Sequence, residues 1–129
     1  MQKIIKFDSL GEEQCYQSIK KILPSAEIKL HPRYPLSHSP IGIQFEIDFL
    51  VETKKSIFFI EYKGYKASRG IWQLYRTKLA WFIQCYPDLL SQVPYFLVFP
   101  ANTISLPNIP LVRVIRLNDL PRELLKLNN

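Results

Sequence analysis

Charged residues interrupt two apolar segments in the middle of the chain. Residues 45–51 and 57–62 are rich in β-branched and aromatic side chains, and the polar run 52–55 between them indicates a β-hairpin. Asp48 lies in the first segment, Glu61 lies in the second, and Lys63 follows it closely. Because charged side chains are almost never buried without partners, three of them in such strands indicate a site.

A turn centred on residues 54–55 would place Asp48 opposite Glu61 and Glu46 opposite Lys63, since strand side chains alternate with a period of two. The Cβ atoms of a facing pair lie roughly 4.5–5.5 Å apart. Two carboxylates at that distance repel each other, which favours a shared proton or a shared cation such as Mg²⁺ or Mn²⁺. The adjacent Lys63 would stabilise charge developing on a phosphate or orient an attacking water.

The alternative is a solvated hairpin with ordinary cross-strand ion pairs, Glu46–Lys63 among them. The run 56–64 favours the metal site, because its strand is apolar on both faces before the charges begin. Such a strand is typical of the buried centre of a sheet.

These residues resemble the signature of the PD-(D/E)XK nuclease superfamily, an aspartate followed on the next strand by Glu-x-Lys. Here they are Asp48, Glu61 and Lys63, with Ile47 in place of the usual proline. Between residues 7 and about 100 the chain resembles, more narrowly, the phage endonuclease I type of Holliday-junction resolvase. The matching segments are Phe7-x-Ser9-x-x-Glu12, Asp48-Phe49-Leu50, Ile57-Phe58, Glu61-x-Lys63-Gly64, Arg76-x-Lys78 and Tyr86-Pro87-Asp88-Leu89.

The resemblance implies a Mg²⁺ site, in which Mn²⁺ can substitute, formed by Asp48, Glu61 and the backbone carbonyl of Tyr62. It also implies a glutamate from the first helix. Helical spacing predicts that helix over residues 10–23, with Ser9 as N-cap, and places Glu12 on the inward face and Glu13 away from it. The alternative that Glu12 only caps the helix stays open.

The remaining periodicity predicts one domain over residues 1–129 with the element order α-β-β-β-α-β-β, a mixed α/β sheet flanked by helices. The resemblance makes this a restriction-endonuclease-like core. The predicted elements after the first helix are a strand at 26–32, a proline-rich loop at 33–43, the hairpin, a helix at 71–86, strands at 94–99 and 111–117, and a helix at 120–127. His31 and His38 lack ligand spacing and are interpreted as surface or structural residues.

The formal net charge of +6 indicates a polyanionic partner. Candidate DNA contacts after the hairpin and on the second helix are Lys66, Arg69, Arg76 and Lys78, although Lys78 would also suit a helix border with its amine in solvent.

The sequence is therefore interpreted as a Mg²⁺-dependent DNA endonuclease, with branched DNA as the leading substrate and, by resemblance, a homodimer. A sequence-specific nuclease on the same core and a catalytically inactive DNA-binding subunit are the alternatives. No apolar run is long enough for a membrane span, and Cys15 and Cys85 do not form a disulfide framework. We expect a cytoplasmic protein of a bacterial or phage-infected cell.

Overall fold

The computed structural model describes residues 5–36, 42–64 and 69–128. Its secondary structure is a mixture of helices and strands, with a short 3₁₀ turn at Leu117–Asp119 before the last helix. In chain order the elements are α1 (Leu10–Ile22), β1 (Glu27–Leu30), β2 (Arg33–Pro35), β3 (Gln44–Glu46), β4 (Phe49–Glu52), β5 (Ile57–Tyr62), α2 (Arg69–Cys85), α3 (Pro87–Gln92), β6 (Tyr95–Phe99), β7 (Arg113–Arg116) and α4 (Leu120–Asn128).

Five strands form one mixed sheet in the order β1-β4-β5-β6-β7, and β2 and β3 form a separate two-stranded sheet. Strand β4 is antiparallel to both of its neighbours, β1 and β5, whereas β5, β6 and β7 run parallel to one another. The β5 strand is the middle one, and its residues 58–61 are buried. The mixed α/β sheet and its buried central strand were both predicted and are confirmed.

Helices cover both faces of this sheet, as predicted. Phe59 of β5 packs in a cluster with Tyr75, Leu79 and Phe82 of α2. On the opposite face, the neighbouring Phe58 and Ile60 pack in a second cluster with Cys15 and Ile19 of α1 and Leu120 and Leu124 of α4. Successive side chains of β5 therefore face opposite helices, with α2 on one side and α1 and α4 on the other. Residue 61 lies on the α2 side, as Phe59 does.

Two predictions about the chain between these elements were wrong. Residues 33–43 were predicted as a loop, but Arg33–Pro35 forms β2, which pairs antiparallel with β3. Residues 45–51 were predicted as one strand, but β3 ends at Glu46 and β4 begins at Phe49, so Asp48 lies in a break. The α3 helix was also not predicted; it begins at Pro87, where proline is well tolerated because a first-turn N–H has no helical acceptor.

The other predicted helices and strands are present, with ends that differ by at most two residues. No helix in the described ranges is long and apolar enough to cross a membrane.

Candidate functional site

The hairpin between β4 and β5 has the predicted register. Phe49 pairs with Ile60, and the turn closes through a 2.8 Å bond from the Thr53 N–H to the Ser56 carbonyl. One step beyond this ladder lie Asp48 and Glu61, as the alternation predicted.

The carboxylates of Asp48 and Glu61 are each held by a backbone N–H of the opposite segment. The Asp48 N–H donates to Glu61 Oε1 at 2.9 Å, and the Tyr62 N–H donates to Asp48 Oδ2 at 2.8 Å. Each carboxylate therefore accepts a bond from the opposite segment, which fixes both side chains at the end of the hairpin. Glu61 is only 3% exposed.

The predicted pairing of Glu46 with Lys63 was wrong. Glu46 belongs to β3, where it pairs with Arg33 of β2, and the ladder with β5 ends at Phe49 before it reaches residue 46. The Lys63 amine instead lies 3.6 Å from Glu61 Oε2 and 4.3 Å from the centre of the Tyr75 ring. The Lys63 amine therefore forms an ion pair with one of the two carboxylates, and its charge also lies over an aromatic ring.

Burial makes ionisation of both carboxylates unfavourable. It raises the pKa of Glu61 well above its usual value, the negative charge of Asp48 raises it further, and the Lys63 charge opposes this. Burial also raises the pKa of Asp48, against the hydrogen bonds from Glu61 and the Tyr62 N–H. Such a pair needs either a shared proton or a shared cation to be stable.

Helix α1 brings Glu12 to the same place. A Cβ on Gly11 would lie 1.9 Å from the Tyr62 ring, so glycine permits the close contact between α1 and the end of β5. Ser9 caps the helix by accepting the Glu12 N–H at 3.1 Å, and Glu12 Oε2 accepts the Asp8 N–H at 3.3 Å. Burial first, and the Asp48 charge second, raise the pKa of Glu12 to about 7.

The inward direction predicted for Glu12 is confirmed, since it is 3% exposed while Glu13 is exposed. Ser9 is the N-cap, as predicted, but the Glu12 side chain accepts the Asp8 N–H and not the Ser9 N–H that a capping box would use. The part of Glu12 in a metal site stays a prediction.

His31 is a residue of this site that the sequence did not reveal. Its backbone N–H donates to the Asp48 carbonyl at 2.9 Å, and its ring lies between Glu12 and Glu46. It adopts a left-handed backbone conformation with φ 53°, which is uncommon outside glycine. Its partners lie 15 to 19 positions away, so no spacing motif in the sequence marks it.

Two of the candidate DNA-binding cations line cavities that also include Lys63. Lys78 lines a cleft of about 420 Å³ with Glu61 and Lys63, and this cleft also contains Arg33, which was not predicted. Arg69 lines a neighbouring cavity of about 490 Å³ that also includes Lys63.

Arg76 lines a separate cavity with Trp72, and its guanidinium lies 5.7 Å from the centre of the Trp72 ring. Lys66 and His38 lie outside the described residues.

Comparison of the chain with protein-family models gives no match, and comparison with curated proteins gives none either.

Proposed function

We propose that the chain is a metal-dependent DNA endonuclease with a restriction-endonuclease-like core. The observation that supports this best is the contact between Asp48 and Glu61, two carboxylates locked together beside the Lys63 amine. A binding module has no need for buried acids that repel each other, whereas phosphodiester hydrolysis uses both the cation that they attract and the adjacent lysine.

The residues present fit a Mg²⁺ ion. Asp48 and Glu61 provide carboxylate oxygens, the ligands that Mg²⁺ prefers. Burial raises the pKa of both carboxyl groups, and a bound cation would stabilise their ionised forms. The backbone carbonyl of Tyr62 and the Glu12 carboxylate are the further candidate ligands. A bound divalent ion would supply charge neutralisation at the phosphate and activation of a water.

Lys63 is held where it can act on the substrate. Its contacts with Glu61 and with the Tyr75 ring fix the amine at the border of the cleft while 29% of the side chain stays exposed. We assign it stabilisation of the negative charge that develops on the scissile phosphate.

The cleft cations Arg33 and Lys78 would contact the phosphates nearest the site, and Arg69 and Arg76 would contact phosphates farther along the backbone. Lys66 remains a candidate for the same role. Phosphate contacts position DNA without reading its sequence, which suits a nuclease that recognises DNA shape.

Branched DNA is the proposed substrate, on the basis of the resemblance to phage junction resolvases. Resolution requires two symmetric cuts, and one chain has one Asp48–Glu61 pair, so this substrate requires a homodimer with two-fold symmetry. Sequence-specific duplex cleavage and DNA binding without catalysis are the alternatives.

A single cleavage assay separates these functions. A four-way junction, a linear duplex and a single strand are incubated with the wild-type protein and Mg²⁺, and the products are resolved on a denaturing gel. Paired nicks in opposing arms of the junction are expected. Cleavage of the duplex at one defined sequence, with intact junctions, would favour the sequence-specific nuclease.

Lys63→Ala should retain junction binding and lose cleavage, because its charge acts mainly in the transition state. Lys20→Ala, on the exposed side of α1, is the matched control and should cut at the wild-type rate. Cleavage by Lys63→Ala at that same rate would contradict the catalytic assignment, and no cleavage by the wild type on any substrate would favour the binding subunit.

A further inference from the structure

We propose that His31, Glu12 and Asp8 bind a divalent transition-metal ion at a second cation position, distinct from the Asp48–Glu61 pair. Each of the three residues offers one ligand atom, and these atoms lie within 4.8 Å of one another. The site joins the first turn of α1 to the residue that follows β1. It does not depend on the proposed nuclease activity, because its only shared residue is Glu12.

Glu12 provides the observation that points to a ligand. Its Oε1 atom is buried and has no hydrogen-bond partner among the residues that the structure describes. A buried carboxylate oxygen without a donor is unfavourable, so this atom is available to accept a hydrogen bond or to bind a cation. His31 Nε2 lies 3.4 Å from this oxygen without forming a hydrogen bond to it.

This separation suits two ligands of one ion. Histidine nitrogens and carboxylate oxygens bind Zn²⁺ at about 2.1 Å, which in tetrahedral geometry places neighbouring ligand atoms about 3.4 Å apart. The observed distance between His31 Nε2 and Glu12 Oε1 is the same 3.4 Å. Asp8 is exposed, so it can complete the site from the solvent side with water as a fourth ligand.

The other ring nitrogen of His31 faces a carboxylate at a distance slightly longer than a hydrogen bond. Its Nδ1 lies 3.6 Å from Glu46 Oε1, and Glu46 is itself 3.7 Å from the Arg33 guanidinium. Metal-binding histidines usually present the second nitrogen to a carboxylate, which orients the ring and raises its basicity. Glu46 is therefore a positioning residue for His31.

The ligand set selects the class of metal. An imidazole nitrogen with carboxylates favours Zn²⁺ and other first-row transition metals, whereas Mg²⁺ prefers oxygen ligands alone. The Asp48–Glu61 pair offers only oxygen. The two positions should therefore differ in metal preference, with Zn²⁺ or Co²⁺ at His31 and Mg²⁺ at Asp48.

The first test uses Co²⁺, whose visible absorption reports nitrogen ligation and tetrahedral geometry. Asp48→Asn removes the neighbouring pair as a competing site. Titration of this variant with Co²⁺ should give visible bands that saturate at about one ion per chain and that excess Mg²⁺ does not remove. Adding His31→Gln should abolish the bands, and adding Glu46→Gln should weaken binding by about 10- to 100-fold. Adding Glu13→Gln, an exposed change on the same helix, should leave binding unchanged.

A second measurement leaves the site intact. The chain has two histidines, so His38→Gln leaves His31 alone. Zn²⁺ should then shift the ¹⁵N resonance of the His31 Nε2 atom selectively. Unshifted imidazole resonances at saturating Zn²⁺, or Co²⁺ bands that survive His31→Gln, would overturn the proposal. Neither measurement uses DNA, so a failed cleavage assay would leave the proposed His31 metal site unaffected.

Discussion

Replacement of Glu12 by glutamine should remove a pH-dependent loss of folding stability from the metal-free protein. The pKa of Glu12 rises from 4.5 to about 7 on folding, chiefly because the carboxyl is buried and secondly because Asp48 is negative. Between these two values the folded state binds more protons than the unfolded state, so the free energy of unfolding falls as pH rises. Each pKa unit corresponds to about 1.4 kcal/mol, so Glu12 destabilises the metal-free protein by up to about 3 kcal/mol at pH 7.

The amide should preserve the local contacts, because its oxygen can still accept the Asp8 N–H and the Ser9 cap uses the backbone of residue 12. Urea unfolding in EDTA at pH 4.5 and pH 7.5 measures the difference. The free energy of unfolding of the wild type should fall between these pH values. The fall should be smaller in Glu12→Gln by up to about 3 kcal/mol, which corresponds to roughly ten degrees in melting temperature.

Glu13→Gln is the matched control, since Glu13 is exposed on the same turn. It should follow the wild type at both pH values. Equal losses in the wild type and in Glu12→Gln would refute the inference that burial of Glu12 raises its pKa.

Three further predictions concern the metal, the helix contact and the DNA surface. Mg²⁺ at 100 times its dissociation constant should stabilise the wild type by about 2.7 kcal/mol in thermal unfolding, and Asp48→Asn should abolish the shift; an unchanged wild-type melting temperature would contradict the Mg²⁺ site. Gly11→Ala should destabilise the protein by about 1–3 kcal/mol, but far less in a Tyr62→Ala background, as a double-mutant cycle in urea can measure; additive costs would contradict the contact. Arg33→Ala and Arg76→Ala should each lower the salt slope of junction binding by about one unit, measured by fluorescence anisotropy; an unchanged slope would exclude the phosphate contact.

The sequence was sufficient for the features that depend on local pattern. The apolar run of β5 predicted a buried central strand, and the short polar turn at 53–56 set the register that places Asp48 opposite Glu61. Helical spacing likewise placed Glu12 on the inward side of α1. In each case the deciding interactions lie within one helix or one hairpin.

The sequence was insufficient where distant segments meet. The proline-rich composition of residues 33–43 predicted a loop, because nothing within it shows that Arg33–Pro35 will pair with Gln44–Glu46. Because of the same pairing, Glu46 lies beside His31 and does not face Lys63. The other carboxylate near His31 is Glu12 of α1. A histidine with partners on two other elements shows no periodicity in its own segment.

The break between β3 and β4 explains why Asp48 is available to the site. Segments 27–35 and 44–52 keep one register throughout, and across the break the Ile47 N–H donates to the Pro32 carbonyl while Asp48 accepts from His31. The Asp48 N–H therefore faces the other way and bonds to Glu61. Where the resembled nucleases usually have proline, Ile47 provides the N–H for its 3.0 Å bond to Pro32, a bond that proline could not form. This bond holds the two segments together next to both His31 and Asp48.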